Sequence, residues 1–306
     1  MRKDGKWNFK KAAQIIFACL VALVIIGVFV FVTHGRDVPV LNPHGLIADQ
    51  ERNLILVTLG LAVIVVVPVF IMLFSIAWKY RASNTKAVYQ PDFASHRGIE
   101  ALWWGIPCVI IIILAVITTI YTHVLDPYKA IDSQTKPVNV QVVALDWKWL
   151  FIYPDQGSAT LNYLNIPKNT PVDFTITSDA PMNSFWIPAL AGQVYAMPGM
   201  STQLHIMADS VGTYTGSSAN ISGEGFASMH FKVNVMDESD FTTWTKRARQ
   251  SATVITNVVY QTLTQPSRGD SETTYKLTDP ALYNKVIMKY GAGGANDSMS
   301  MSGTGN

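Results

Sequence analysis

Three long uncharged runs constrain the fold of this chain more than any other feature. They occupy residues 12–33, 54–78 and 101–121. As a helix, roughly 20 apolar residues cross a hydrocarbon core about 30 Å thick. Only 14% of the 306 residues are charged, whereas roughly a quarter is usual in soluble domains. We therefore predict a membrane protein with two or three transmembrane helices.

The first run allows three fates. Residues 1–11 carry five Lys or Arg residues and a single Asp. Because a basic start precedes an apolar run, we interpret residues 1–36 as a signal-anchor or a cleaved signal segment. The run is longer than the usual signal core and lacks an A-x-A cleavage site. Lipid modification at Cys19 is the third fate, although Phe17 stands where a small residue is wanted. We favour the retained anchor.

Residues 37–126 are predicted to form a two-helix transmembrane hairpin. The loop 79–100 between the two later runs contains Lys79, Arg81, Lys86 and Arg97. Because short loops rich in Lys and Arg stay in the cytoplasm, residues 1–11 and 79–100 are expected on the cytoplasmic side. The chain after His123 is then expected on the opposite, outer side of the membrane. This orientation is the same whether the first run is retained or cleaved.

The hydropathy pattern changes period after residue 137. Apolar residues alternate with polar ones over 138–142, 172–177, 203–207 and 229–235, and Pro- or Gly-containing turns separate these stretches. Several short alternating strands predict an antiparallel β-sandwich or barrel. We place this outer domain at residues 127–236.

A helical extension is expected over residues 237–290. Asp237 or Ser239 could cap a helix at about 241–250, and Pro280 suits an early position in a second helix at about 279–290. The last stretch, 291–306, is small, polar and rich in Gly and Ser. We expect this tail to be disordered.

Composition excludes several functions. A net charge of +2 with scattered basic residues does not suit nucleic-acid binding. The two cysteines, Cys19 and Cys108, lie inside apolar runs, so the outer part can build neither a disulfide framework nor a thiolate metal site. Its two histidines, His205 and His230, are far apart in sequence, and His230 should point away from its neighbour Met229 in a strand.

The segment 211–235 carries a recognisable pattern, VGTYTGSSANISGEGFASMHFKVNV. It resembles the loop of respiratory oxidase subunit II that holds a binuclear copper centre, CuA, through C-x-E-x-C-x-x-x-H-x-x-M. An upstream histidine completes that centre in the copper-bearing relatives. The corresponding positions of this chain are Asn183, Ser218, Asn220, Ser222, Phe226 and Met229. Only the methionine is kept, and copper needs soft thiolate and imidazole ligands, so we predict no metal here.

The resemblance extends along most of the chain. The segments LNPHG at 41–45, WKYRASN at 78–84, MNSF at 182–185 and YAMPGM at 195–200 are similar to subunit II of bacterial cytochrome o-type (bo) ubiquinol oxidases, in the haem-copper oxidase superfamily. This resemblance implies a cupredoxin-like sandwich without copper ligands. It also implies a complex of the aerobic respiratory chain that oxidises ubiquinol, reduces oxygen and pumps protons.

Cofactors and partners follow from the same resemblance. Two haems and one copper would belong to subunit I, and this chain would bind no cofactor. Subunit I would be the main partner, with subunits III and IV, the lipid bilayer, and ubiquinol reached through subunit I. Neither nucleic acid nor cytochrome c is expected as a partner. The expected location is the bacterial cytoplasmic (inner) membrane, with the C-terminal domain in the periplasm.

Two further sites have both a functional and a structural interpretation. Glu100 opens the third run, where a carboxylate suits the positive end of a helix. In the resembled family a glutamate at this spacing from Pro107 lies at the entrance of a proton-uptake path. Trp147 and Trp149 resemble the aromatic segment through which electrons enter from cytochrome c in copper-bearing relatives. Without copper, we interpret them as packing and interface residues.

Two other assignments compete with a quinol oxidase subunit. Subunit II of a cytochrome c oxidase shares the fold and topology but needs the copper ligands that this chain lacks. A membrane-anchored assembly or binding module with a cupredoxin-like domain fits the topology and periodicity equally well. Copurification with a haem-bearing partner would separate that module from an oxidase subunit.

Overall fold

A computed structural model describes residues 38–85 and 96–291. The chain forms two compact units, Met1–Asn42 and Pro43–Asn306. In the described part of the first unit, the amides of Leu41 and Asn42 both donate to the carbonyl of Val38. The predicted anchor at 12–33, Cys19, part of the loop 79–100 and the tail from residue 292 lie outside the described residues.

Within the described residues, two long helices precede the outer domain. Helix α1 spans Leu46–Lys79 and helix α2 spans Arg97–Val124. Both are long and apolar enough to cross a membrane, and they contain the predicted spans 54–78 and 101–121. At 1.5 Å per residue, the 34 residues of α1 extend about 51 Å. This exceeds a hydrocarbon core of about 30 Å, so α1 is longer than a span perpendicular to a bilayer requires.

The start of α1 is built into the outer domain. The amide of Leu46 donates to Met207 O at 3.1 Å and that of Ala48 to Leu190 O at 3.2 Å. These bonds satisfy two of the N–H groups that a helix start leaves free. A Cβ on Gly45 would lie 2.8 Å from Leu190 O, so only glycine fits the junction. The sequence pattern missed these first turns because residues 49–53 are polar.

In the part of the chain that the structure describes, twelve strands form two facing sheets. Their bounds are β1 Val138–Leu145, β2 Lys148–Tyr153, β3 Ser158–Leu161, β4 Tyr163–Pro167, β5 Val172–Ser178, β6 Asn183–Trp186, β7 Gln193–Ala196, β8 Thr202–Ile206, β9 Gly212–Ser218, β10 His230–Met236, β11 Val254–Ile255 and β12 Thr273–Leu277. One sheet has the order β11-β12-β3-β2-β1-β5-β8 and the other β4-β10-β9-β6-β7. The predicted sandwich after a helical hairpin is confirmed.

The sheets are mixed, whereas the sequence predicted an antiparallel sandwich. Strand β1 runs parallel to β5, with Val138 opposite Val172, and β10 runs parallel to β4. Between β1 and β5 the chain leaves the first sheet for β4 and returns. A strand that returns through such a crossover can lie parallel, whereas a tight hairpin imposes an antiparallel partner.

The core between the sheets is aromatic. The rings of Phe185 and Phe231 stack with their centroids 5.3 Å apart and their planes 4° apart. Trp149 is fully buried and meets both rings at tilted angles, with centroids 5.4 and 5.7 Å away. Aromatic pairs at such distances add to the free energy gained by burying their large area.

The extension over 237–290 also contributes strands, whereas the sequence predicted helices alone. It holds α3 (Glu238–Arg249), α4 (Asn257–Leu263) and α5 (Leu282–Gly291), together with β11 and β12. Strand β12 pairs antiparallel with β3. A second apolar cluster therefore fills the outer side of the seven-stranded sheet, and every residue of β2 is buried from both faces.

The helix ends in the extension differ from expectation. Helix α3 begins at Glu238, three residues before the predicted start, and its N-cap residue Asp237 makes no side-chain capping bond to this fully described helix. Helix α5 begins at Leu282, so Pro280 precedes it. The side chain of Asp279 instead accepts from the amide of Ala281 at 3.0 Å, in the turn before the helix.

Candidate functional site

The loop between β9 and β10 lies against the start of β6. Ser218 ends β9 directly opposite Phe185 of β6. The amide of Ala219 then donates to Ser184 O at 3.0 Å. This pairing brings the loop at 218–229 to the same end of the sandwich as Asn183. The resemblance to a metal-binding loop predicts this proximity, and the structure provides it.

Three of the six copper-equivalent positions form one hydrogen-bonded network. The Ser218 hydroxyl lies 3.0 Å from Asn183 Oδ1 and 3.1 Å from Asn220 O, and these two acceptors share its single proton. The Asn183 amide donates to Pro181 O at 2.7 Å, and the Asn220 amide donates to Met182 O at 3.0 Å. Buried polar groups are stable when paired in this way.

The other three positions have different surroundings. The Ser222 hydroxyl oxygen is buried without a hydrogen-bond partner among the described residues. Phe226 begins a one-turn 3₁₀ helix that ends before Met229. Met229 is fully buried in the apolar core, while its carbonyl accepts from the amide of Ser218 at 3.2 Å. These residues help to build the loop but do not join the polar network.

The chemistry of this site suits hydrogen bonding rather than metal binding. Its side chains are two hydroxyls, two carboxamides, a phenyl ring and one thioether. Copper in proteins needs thiolate or imidazole ligands, and a single thioether does not replace them. Within residues 38–85 and 96–291, no three His, Cys, Asp or Glu side chains lie close enough together to hold a metal ion.

The chain is similar to known proteins over most of its length. Residues 158–236 match the family model of the cytochrome c oxidase subunit II periplasmic domain. The chain is 48% identical over 256 residues to the cytochrome bo(3) ubiquinol oxidase subunit 2 of Pseudomonas putida, covering 84% of this chain and 82% of that relative. The chain belongs to the ubiquinol oxidase subunit 2 family.

Two further relatives extend this comparison. The ubiquinol oxidase subunit 2 of Acetobacter aceti is 44% identical over 261 residues, which cover 85% of each chain. The quinol oxidase subunit 2 of Bacillus subtilis (strain 168) is 38% identical over 268 residues, covering 86% of this chain and 83% of that relative. Membership in the ubiquinol oxidase subunit 2 family makes this chain one subunit of an oxidoreductase complex, with partner subunits such as subunit I.

Family membership also decides between the competing assignments. The curated relatives described above are quinol or ubiquinol oxidase subunits. An assembly module without oxidase activity finds no support among them. A cytochrome c oxidase subunit II also finds none, although the matched domain model carries that name. The predicted resemblance is confirmed.

The histidines of this family member occupy separate places. His230 opens β10 as an exposed residue, whereas its neighbour Met229 is buried, so the two side chains cannot share one ion. His205 Nδ1 lies 2.7 Å from Asp173 Oδ1. The ring of His44 lies 4.9 Å from that of Tyr214. These contacts are those of ordinary polar side chains.

Glu100 takes part in capping α2. The amide of His96 donates to Glu100 Oε1 at 3.1 Å, and the amide of Ile99 donates to His96 Nδ1 at 3.3 Å. Such a reciprocal arrangement satisfies two backbone donors at a helix start. Glu100 is nevertheless exposed, and its second carboxylate oxygen is available for other interactions.

The two tryptophans expected to pack do so in different ways. Trp149 belongs entirely to the core between the sheets. Trp147 lies in the turn between β1 and β2 with a φ of 62°, a left-handed conformation that is rare for a bulky residue. Its indole Nε1 donates to Ser222 O at 3.3 Å. Trp147 is therefore a contact of the metal-free loop.

Sequence reasoning missed two buried ionic groups. Lys148 is 2% exposed and donates to Gln265 O at 3.0 Å. Asp179 is fully buried and accepts from Tyr260 at 2.8 Å, Lys289 at 2.7 Å and Tyr290 at 2.6 Å. The sequence does carry a signal for the burial of Lys148, because this lysine begins the otherwise apolar strand β2. No comparable pattern marks Asp179, because its partners lie at least 81 residues away.

Proposed function

We propose that this chain is the metal-free subunit II of a proton-pumping quinol oxidase, in which it supports subunit I and transfers no electrons itself. The observation that carries this proposal is the polar network of Asn183, Ser218 and Asn220. These residues stand at positions where the resemblance to copper-bearing subunits II places copper ligands. Hydroxyls and carboxamides cannot change oxidation state. Electrons therefore reach the haems and copper of subunit I by another route.

The route follows from the donor named for the relatives. Ubiquinol is an apolar molecule that resides in the bilayer, so it can deliver electrons directly to a membrane-embedded subunit. A water-soluble donor such as cytochrome c would instead need an outer relay. We infer that ubiquinol binds through subunit I and that cytochrome c is not a donor. The sandwich then serves as a cover and assembly surface on the outer face of subunit I.

The charge distribution supports an orientation in the bacterial inner membrane. Lys79 ends α1, Arg81 follows it, and Arg97 begins α2. Basic residues at these helix ends favour the cytoplasmic side, which leaves the sandwich in the periplasm. We further propose a retained segment 1–36, a hairpin 37–126 in contact with lipid, subunit I and the smaller subunits III and IV, and an outer part 127–290 that acts as one body.

Glu100 is proposed as a proton-entry residue. On the inferred orientation it lies at the cytoplasmic end of α2, beside the exposed Trp103 and Trp104. Its carboxylate bonds one backbone amide and remains open to water. A solvent-accessible carboxylate at the membrane surface can collect protons for a neighbouring subunit.

The central test is purification of the whole complex in mild detergent. We expect a haem-bearing partner to copurify, metal analysis to find one copper per complex, and ubiquinol to support oxygen consumption. Reduced cytochrome c should support none. A second and third copper assigned to this chain, or rapid oxidation of cytochrome c, would contradict the proposal.

Glu100 is tested by separating its two roles. Glu100→Gln keeps an acceptor for the His96 amide but cannot carry a proton, so oxidase turnover should fall while the yield of assembled complex stays unchanged. Glu238→Gln, at an exposed carboxylate in the first turn of α3, is the matched control. Equal turnover in the wild type and Glu100→Gln would remove the proton-entry role.

A further inference from the structure

The loop 218–229 has little regular secondary structure. It runs from the end of β9 to the start of β10 and contains only one short 3₁₀ turn. Ile221 is 79% exposed at its tip. Ordering such a segment costs conformational entropy, and in metal-binding loops the metal contributes the compensating free energy. In this chain another group must supply it.

Trp147 covers the inner side of this loop. Its indole Nε1 donates to Ser222 O, and its ring lies directly against Gly225. A Cβ on Gly225 would lie only 2.1 Å from Trp147 Cδ2, so the close contact requires glycine. Gly223 has a φ of 118° and also faces the ring. The indole therefore touches the loop at three of its residues.

The C-terminal extension holds the same tryptophan from a second direction. The guanidinium carbon of Arg268 lies 5.3 Å from the centroid of the Trp147 ring, within the range of a cation–π contact. The same guanidinium bonds Glu224 of the loop at 2.5 Å. Arg268 thus joins the loop, the indole and the extension.

Arg268 is itself held in place by the buried Lys148. The ammonium of Lys148 bonds Gln265 O and the hydroxyl of Ser267, and it lies 3.5 Å from Asp270 Oδ2. The segment 265–270 is fixed on both sides of Arg268 by these contacts. Lys148 directly follows Trp147 in the sequence. The turn between β1 and β2 therefore places both the indole that contacts the loop and the lysine that binds the segment 265–270.

We propose that Trp147, Gly225, Arg268 and Lys148 form a clamp that orders the loop 218–229 without a metal. By ordering the loop, the clamp positions two exposed apolar residues, Met182 and Ile221. Asn220, which precedes Ile221, donates to Met182 O and so holds this part of the loop against Met182. The assignment of subunit I as the partner of Met182 and Ile221 rests on the proposed function. The clamp itself does not depend on oxidase activity.

The test is amide hydrogen exchange in the purified whole complex. The amides of Ser218, Ser228 and Met229 donate hydrogen bonds within the loop, so they report its order. In Trp147→Ala these amides should exchange at least about tenfold faster, while strand β1 exchanges as in the wild type, because local opening is independent of the core. Trp147→Phe keeps a ring on Gly225 and should restore most of the protection.

Two more variants keep the test decisive if Trp147→Ala fails to assemble. Gly225 has a φ of −89°, which any residue adopts, so Gly225→Ala changes only the contact with the indole. Its loop amides should also exchange about tenfold faster. Arg268→Ala should accelerate them less, and Arg247→Ala, an exposed arginine of α3, serves as its control with no change.

Two outcomes would overturn the clamp. One is unchanged exchange of the loop amides in both Trp147→Ala and Gly225→Ala. The other is loss of their protection after treatment of the wild type with EDTA, since that would mean a metal orders the loop. If instead no haem-bearing partner copurifies with the wild type, the proposed function fails while the exchange results still decide the clamp.

Discussion

The sandwich and the helical hairpin use their apolar residues in opposite ways. In β2 every side chain is buried within the chain, whereas helix α2, which is fully described, buries none. Burial of apolar surface stabilises the sandwich by itself. The hairpin leaves the same kind of surface exposed within this chain, and we propose that lipid and partner subunits cover it. The sandwich is therefore stabilised by contacts within the chain, whereas we expect the hairpin to need contacts with its surroundings.

The largest expected effect separates the two regions directly. Phe185→Ala removes a fully buried ring stacked on Phe231, and we expect the free energy of unfolding to fall by about 3–5 kcal/mol. Phe74→Ala on α1 removes a ring that is 66% exposed and should leave sandwich unfolding unchanged. Denaturant unfolding in detergent, followed by tryptophan fluorescence, compares them. Similar midpoints for both variants would contradict the comparison.

The second prediction concerns ionic pairs inside and outside the sandwich. Asp179 is fully buried and Lys289 about half exposed. We therefore expect Asp179→Ala to lower the free energy of unfolding by about 2 kcal/mol, less than for a fully buried pair. The pair of Asp279 and Lys285 is open to water, so Asp279→Ala is the control with a small effect. Chemical unfolding of both variants measures the contrast.

The third prediction tests the junction of the two regions. Gly45→Ala places a Cβ 2.8 Å from Leu190 O, and we expect it to lower the free energy of unfolding by about 1–2 kcal/mol through overpacking. Amides of residues 46–48 should also exchange faster. Gly105→Ala on α2 meets nothing within 4 Å and is the matched control. If the two changes were equally mild, α1 would be only loosely attached to the sandwich.

The smallest expected effect is a dependence on alkaline pH. Burial, followed by the charge of Asp179, raises the pKa of Tyr260 above its usual value. Because the folded pKa is the higher one, this tyrosine stabilises the fold fully below pH about 10, and the contribution is lost as pH rises further. At pH about 11 the loss should reach about 1.4 kcal/mol.

The variant Tyr260→Phe cannot ionise, so its stability should fall less steeply between pH 9 and pH 11 than that of the wild type. Unfolding midpoints at several pH values check this slope. Burial also raises the pKa of Tyr153, a fully buried tyrosine of β2, so part of the alkaline loss should remain in the variant. Parallel profiles for the wild type and Tyr260→Phe would contradict the assignment.

Local patterns predicted much of the architecture. Alternation placed β1, β5, β8 and β10 within three residues of their observed bounds, because one face of each strand meets the core between the sheets. The alternation of β1 ends early because residues 142–145 are buried on both faces. The extension was harder to predict. Strand β12 carries a short pattern, and only its pairing with β3 makes it a strand.

The candidate site divides in the same way. The resemblance to copper-bearing subunits assigned its six positions, of which only Met229 keeps the side chain found in those relatives. The contacts that hold the loop could not be predicted from the sequence, because Trp147 and Arg268 are 121 positions apart in the sequence and meet only in the fold. Glu100 was located from sequence, whereas its bond to the His96 amide required the structure.

The amino-acid sequence alone established the two long apolar helices, the β-rich outer domain and the lack of thiolate and imidazole ligands in the loop. These depend on composition and on periodicity over a few residues. The tertiary structure decided the parallel pairing of β1 with β5, the attachment of α1 to the sandwich and the buried partners of Lys148 and Asp179. Each joins residues distant in the chain, and such contacts arise only when packing brings the segments together.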